Sequence, residues 1–267
     1  MIFIGGLLGF VIGAVLGLTG AGGGIFAVPA LVFGLGMDMR AAAPVALLAV
    51  AAAAGVGALQ GLRQGIVRYR AAAVLAGAGT LTAPLGVALA HRLPALWLEW
   101  IFAAVMLVAA YRMFMSARAA GKAGLALPAH SLVCKVSQDT GRFVWTARTI
   151  ATFSTIGAVS GLFTGMLGVG GGFIIVPALA FFSELRMHSI VATSLMVIAL
   201  LSMVSVFVAL GHGVSFTAPA WVFAAMALVG MAAGRLLAAK IPSAILQRIF
   251  SLACAVVAIM MFARSIG

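Results

Sequence analysis

The sequence predicts an all-α polytopic membrane protein made of two homologous halves, and three observations predict it. Of the 267 residues, 65% are hydrophobic and 7% charged, against roughly 25% charged residues in soluble domains. The apolar residues fall in runs at about 2–36, 42–62, 71–90, 95–116, 147–183, 189–210, 219–238 and 243–263, most of them within the roughly 17 to 25 residues that a spanning helix needs. The chain also repeats itself at a constant offset of 148 residues: Gly13 matches Gly161, Gly65 matches Gly213, Gly86 matches Gly234, Arg92-Leu-Pro94 matches Lys240-Ile-Pro242 and Phe102 matches Phe250. Tandem duplication is a common origin of membrane transporters, with the substrate held where the halves meet.

Each half opens on a run too long for one simple span, residues 2–36 and 147–183, and both runs carry the same motif. The first copy reads Gly17-Leu-Thr-Gly20-Ala-Gly22-Gly23-Gly24-Ile-Phe-Ala-Val-Pro29 and the second Gly165-Met-Leu-Gly168-Val-Gly170-Gly171-Gly172-Phe-Ile-Ile-Val-Pro177. Glycine costs about 1 kcal/mol and proline about 3 kcal/mol in a helix interior. Three successive glycines and a following proline therefore predict a break, with Pro29 and Pro177 as part of it. Broken helices survive in lipid only where the freed N–H and C=O groups face protein or a watery cavity, so two related breaks point to an internal transport site. The alternative is that Gly13, Gly17, Gly20 and the triplet at 22–24 only allow two helices to pack closely; the repeated proline and the excess length favour the break. The opening Met1-Ile2-Phe3-Ile4 has no basic residue ahead of it and its run exceeds signal-peptide length, so the segment is expected to stay in the mature protein.

Three further apolar runs follow in each half. Between the halves lies the one long polar stretch, 117–146, with Arg118, Lys122, Lys135 and Arg142 beside Pro128, His130 and Asp139; it reads as a cytoplasmic tether. The positive-inside rule then separates two topologies. If each long first run crosses once, the halves lie in the same orientation and the linker side holds ten basic residues against six. If each run enters to its break and returns, the halves are inverted. Arg186, Arg235, Lys240 and Arg248 then join the linker side, and the balance is thirteen against three: Arg40, Arg92 and Arg264. The stronger bias selects inverted repeats, each with a Gly-broken, re-entrant first helix followed by three spanning helices. The first repeat is 1–116, the linker 117–146 and the second repeat 147–267. Residues 2–19 alone make about 27 Å of helix, so the first arm must be tilted or partly interfacial.

Helix is expected to resume near Ile25 and Phe173. Its first turn leaves N–H groups unpaired and a partial positive charge near mid-membrane, a backbone recipe for holding an anion. The candidate binding residues are thus Gly22, Gly23, Gly24 and Ile25 in the first copy and Gly170, Gly171, Gly172 and Phe173 in the second. Thr19, Thr164, Thr193 and Ser194 are the nearby hydroxyls, each of which could instead bond only its own helix. Val45 and Ala46 stand where the second half has Thr193 and Ser194, so the halves differ in polarity and suit an asymmetric substrate. Gln60 and Gln64 flank the basic loop from Arg63 to Arg70, and His212 is the counterpart of Gln64; all three read as interfacial solvation. Asp38, Asp139 and Glu184 lie at segment ends or in the linker, and Glu99 sits early in its span. A cation carrier usually needs a carboxylate near mid-helix, so an anion is the better fit.

A net charge of +12 is placed at segment ends and in the linker, as topology and lipid-headgroup anchors, and does not suggest nucleic acid. Cys134 and Cys254 are far apart and propose neither a disulfide nor a metal site; no metal or cofactor is expected. H-E-x-x-H, G-x-S-x-G and a P-loop lysine are missing, and the glycine run sits in a lipid-length helix rather than a βαβ unit, so no enzyme is expected.

The runs Gly17-Leu-Thr-Gly-Ala-Gly-Gly-Gly24 and Gly168-Val-Gly-Gly-Gly-Phe-Ile-Ile-Val-Pro177, each followed by a helix opening near residues 42–46 or at Ala192-Thr193-Ser194, resemble the TauE/SafE family of sulfite exporters over nearly the whole chain. The resemblance implies a plasma-membrane permease for sulfite, sulfoacetate or related sulfonates, working without ATP hydrolysis. Val45 and Ala46 depart from the polar pair that a symmetric two-site picture needs. The expectation is a secondary anion transporter that rocks one half against the other, with an anion channel and a non-transporting scaffold as alternatives. Its partners would be a small anion and membrane lipids, with a coupling proton or ion and homo-oligomerisation left open.

Overall fold

The computed structural model describes residues 2–20, 22–121, 134, 145–183, 185, 187–214, 216–238 and 243–266. Asp139, Glu184, Arg186, Lys240, Pro242 and most of the linker, including Lys122, Pro128, His130, Lys135 and Arg142, lie outside the described residues. Within them the chain is helical. The first half holds α1 (Ile2–Thr19), a 3-10 turn (Gly23–Phe26), α2 (Ala27–Gly34), α3 (Met39–Arg63), α4 (Tyr69–Arg92) and α5 (Ala95–Gly121). The second holds α6 (Ala147–Leu167), α7 (Gly172–Phe182), α8 (Met187–Gly211), α9 (Ala218–Ala238) and α10 (Ser243–Ile266). α5 thus runs on to Gly121, past the linker boundary expected at 117. Cys134, expected in a solvated tether, is instead buried, its N–H donating to Phe182 O at 3.0 Å.

Both long first runs are hairpins. A Cβ added to Gly23 would lie 2.4 Å from Leu16 Cα, one at Gly34 2.4 Å from Leu8 Cδ1, and one at Gly5 3.8 Å from Leu35 Cδ1. The returning segment therefore descends beside α1, antiparallel to it. In the second half Ser160 Oγ donates to Gly171 O at 3.1 Å, and the Phe163 and Phe173 rings meet edge-on, so α6 and α7 turn back in the same way.

The directions of homologous helices bear on how the halves are related. Gly61 and Gly57 of α3 lie against Ala192 and Leu195 of α8, while Pro44 and Leu47 share a cavity with Ala209 and Ser205. Rising number in α3 meets falling number in α8, so these equivalents run antiparallel. α5 and α10 do the same: Ser251 Oγ donates to Ala110 O at 2.7 Å, and the Trp100 and Phe262 rings meet tilted with centroids 5.9 Å apart. Matching helices that oppose each other are consistent with inverted repeats, as are five helices per half, two of them forming the hairpin.

Hairpin and partner half lock together through glycine. On α1, a Cβ at Gly9, Gly13 or Gly17 would fall 2.3, 2.0 and 2.5 Å from the carbonyl oxygens of Phe223, Ala227 and Met231 of α9. Gly157, Gly161 and Gly165 of α6 meet Leu75, Gly79 and Ala83 of α4 in the same way, the same contact moved by the repeat offset. Such small-residue faces bring helix backbones to Cα–H···O distance, where van der Waals packing replaces the hydrophobic drive that lipid removes. The close-packing account is therefore right for Gly13 and Gly17, and the triplets lie at the break.

By length and hydropathy, six helices among the described residues could cross a membrane: α3, α4, Ala95–Arg112 of α5, α6, α8 and Ala218–Leu237 of α9. α6 is span-length although it forms one arm of a hairpin, and the described apolar part of α10, Arg248–Ala263, is shorter.

Candidate functional site

The two breaks come together in the interior. The turn after α1 overshoots the middle: Gly17 and Gly57 both pack on Met231, and Gly57 lies in the last third of α3. The chain then falls back, so that Gly24 lies beside Val50 at the centre of α3 and 3.1 Å, measured from an added Cβ, from Val169 O in the other break. Gly170 faces Val50, Ile198 and Ser202. Val50 and Ile198 are repeat equivalents, so this meeting point lies on the pseudo-twofold axis between the halves.

The breaks are built differently. α6 ends on Gly168, left-handed at φ 75°, whose N–H caps Thr164 O at 3.0 Å. Gly171 is also left-handed, at φ 70°, and starts α7 directly: its carbonyl accepts from Ile174 and Ile175 N–H at 3.0 and 3.2 Å. The N–H groups of Gly172 and Phe173 are left without an acceptor in their own helix. In the first half, Gly22 is right-handed at φ −82° and the chain resumes through the 3-10 turn, with Ile25 N–H bonded to Gly22 O at 3.3 Å. Ile25 is thus a core side chain with its amide already used. Gly22, Gly23 and Gly24 supply close backbone packing there, Gly22 against the Phe250 ring. Pro29 and Pro177 sit inside α2 and α7 rather than in the break, Pro29 in the first turn of α2 and Pro177 at the middle of α7; the left-handed and close-packed glycines already turn the chain.

Of the predicted hydroxyls, Thr19 donates to Val15 O at 2.8 Å on its own helix. Thr193 accepts from Arg68 N–H at 3.0 Å and ties α8 to the basic loop. Neither is directed at the breaks. Thr164 is brought to the site: its Oγ1 bonds Ser160 O at 2.7 Å and stands 2.6 Å from where a Gly171 Cβ would be. Ser194 is fully buried with no hydrogen-bond partner, and so are Ser202 and Ser205. These three lie 8 and 3 residues apart on α8, within about 80° of one another at 100° per residue, so they form one stripe. Ser202 lies beside Gly170, and Ser205 lines a cavity of about 30 Å³ with Met39, Arg40, His91 and Met166. The cavity opens on the side away from the linker and has room for about a water or two. Ser160, Ser202 and Ser205 were not legible as site residues from their spacing to the glycines, although a serine stripe in an apolar helix was a usable signal.

Polarity is one-sided. The counterparts of Ser160, Thr164, Ser194, Ser202 and Ser205 are Ile12, Leu16, Ala46, Ala54 and Gly57. The packing around the point where the two breaks meet is therefore polar on the second half and apolar on the first. Asp38 is exposed and caps α3 through Arg40 N–H at 3.4 Å, while Glu99 is half-buried just beyond the first turn of α5. His212, exposed, stacks on His91 at the cavity mouth with ring centroids 5.4 Å apart. Among the described residues no group of three or more His, Cys, Asp or Glu could hold a metal ion.

The "Sulfite exporter TauE/SafE" family model matches residues 5–261. Two curated relatives, each named "Probable membrane transporter protein" and found in Xylella fastidiosa strains Temecula1 and 9a5c, are 28% identical over 264 residues, covering 98% of this chain and 93% of theirs. No solved structure matches the chain significantly. With a model match across both repeats and both glycine breaks, the chain belongs to the sulfite exporter TauE/SafE family of membrane transporters.

Proposed function

We propose that the protein is a secondary transporter of small sulfur oxyanions, sulfite or an organosulfonate such as sulfoacetate, in the plasma membrane, with the 117–146 linker on the cytoplasmic side. The observation that carries this reading is the Ser202 hydroxyl, fully buried and unpartnered, beside Gly170, just ahead of a helix whose first amides have no acceptor within that helix. A buried polar group without a partner costs about 1–3 kcal/mol, and an oxyanion would supply the missing acceptor. The anion would take hydrogen bonds from the Gly172 and Phe173 N–H groups and from Ser202, with Ser160 and Thr164 shaping the pocket floor. Its charge would be stabilised by the positive end of α7. The apolar wall from the first half would face the organic part of a sulfonate, and Ser205 and Ser194 extend the hydroxyl stripe toward either side. Thirteen basic residues on the linker side against three support the cytoplasmic assignment.

Counterflow in proteoliposomes tests the reading. Vesicles loaded with unlabelled sulfite should transiently accumulate labelled sulfite against its gradient. A channel would only equilibrate the label, and a scaffold would move none.

A further inference from the structure

The cavity that opens away from the linker has an inverted counterpart on the linker side, and the two are not alike. Val87, Ser205 and Ala209 line the open cavity; their equivalents are Arg235, Gly57 and Gly61. There the space is filled. Arg235 Nη1 donates to Gly57 O at 3.0 Å and to Gln60 Oε1 at 2.7 Å, and Leu195 and Met231 close on Gly57. An arginine near the end of a span can reach for headgroups, but this one is turned inward, across the repeat interface. Both of its acceptors are uncharged.

A guanidinium carries five N–H donors and binds oxyanions through two parallel bonds. Half-buried in the last turn of α9 and held by a carbonyl and an amide, it has donors to spare, and an ionised acceptor makes the stronger bond. Resting on the anion-transport reading above, we propose that Arg235 is the linker-side ligand for the transported oxyanion. The anion displaces Gln60 Oε1 from the guanidinium, and the contact that seals that side opens as it does. Gln60 is then a deliberately weak place-holder: close enough to keep the side shut when empty, neutral enough to be replaced.

The test uses the full chain in proteoliposomes with labelled sulfite as probe. Gln60→Glu gives Arg235 a resident carboxylate, so the protein should melt no lower than the parent while counterflow falls about tenfold, the carboxylate out-competing the substrate. Arg235→Lys keeps the charge but loses the fork, and should raise the half-saturating sulfite concentration about tenfold on the linker side while leaving the opposite side unchanged. A merely structural Arg235 would give Gln60→Glu parental or better flux. Folded Gln60→Glu and Arg235→Lys proteins that both exchange sulfite within about twofold of the parent, at unchanged linker-side half-saturation, overturn the assignment of Arg235 while sulfite transport stands. Absence of counterflow by the parent protein overturns the transport reading itself.

Discussion

Replacing Gly171 by alanine separates backbone cost from site cost. At φ 70°, a left-handed conformation costs an L-residue about 1–2 kcal/mol. Gly65, at φ 68° with nothing within 4 Å of an added Cβ, carries that cost alone, less the roughly 0.4–1 kcal/mol that alanine recovers by restricting the unfolded chain. At Gly171 the new methyl would stand 2.1 Å from Ser160 Oγ, 2.6 Å from Thr164 Oγ1 and 3.1 Å from Ser160 O. Ser160 must then leave Gly171 O, stranding its buried hydroxyl at about 1–3 kcal/mol, while the carbonyl keeps the Ile174 and Ile175 N–H groups. Gly171→Ala should therefore be about 1–3 kcal/mol less stable than Gly65→Ala and should lose sulfite counterflow that Gly65→Ala retains. Thermal unfolding in detergent, followed by tryptophan fluorescence, and counterflow read the two effects. Equal melting of the two variants, with flux intact in Gly171→Ala, would refute the reasoning.

Ser202→Ala removes an unpartnered hydroxyl, so it should leave stability unchanged or raise it by up to about 1 kcal/mol while sulfite flux falls; unchanged flux would show the hydroxyl plays no part. Gly13→Ala and Gly161→Ala put methyl groups 2.0 and 2.1 Å from the Ala227 and Gly79 carbonyls, so each should cost about 1–3 kcal/mol, and melting curves should shift together as the repeat requires. Burial pushes the Cys134 thiol above its ordinary 9.0, with a hydrogen bond to Thr149 opposing. Its contribution to stability is thus full below that ordinary value and is lost as pH rises through the higher folded value. In a Cys254→Ala background, maleimide should label Cys134 more slowly than free cysteine at pH 8; labelling at the free rate would contradict its burial.

What could be read from the sequence was what repeats or alternates in bulk. The 148-residue offset and the two over-long runs were enough for a duplicated, hairpin-opened helical membrane protein, because lipid allows so few alternatives. The charge bias gave an inverted orientation, and the antiparallel course of α3 and α8 is consistent with it. Direction within a helix was harder. Arg235 counted as one more basic residue at a segment end, yet its side chain points across the interface to Gly57 and Gln60. Thr19 was adjacent to the break but its hydroxyl is spent on Val15, whereas Ser202, thirty residues beyond Gly172, folds back beside Gly170. Nearness along the chain was the signal used, and tertiary contact between hairpin and α8 decided the matter.

The convergence of the two hairpins on one oxyanion is most directly tested with selenite, an electron-dense analogue of sulfite, located by anomalous diffraction in crystals of the protein. The expected peak lies within hydrogen-bonding reach of Ser202 Oγ and the Gly172 and Phe173 amides. Selenite found only at surface arginines, or nowhere in the interior, would contradict it.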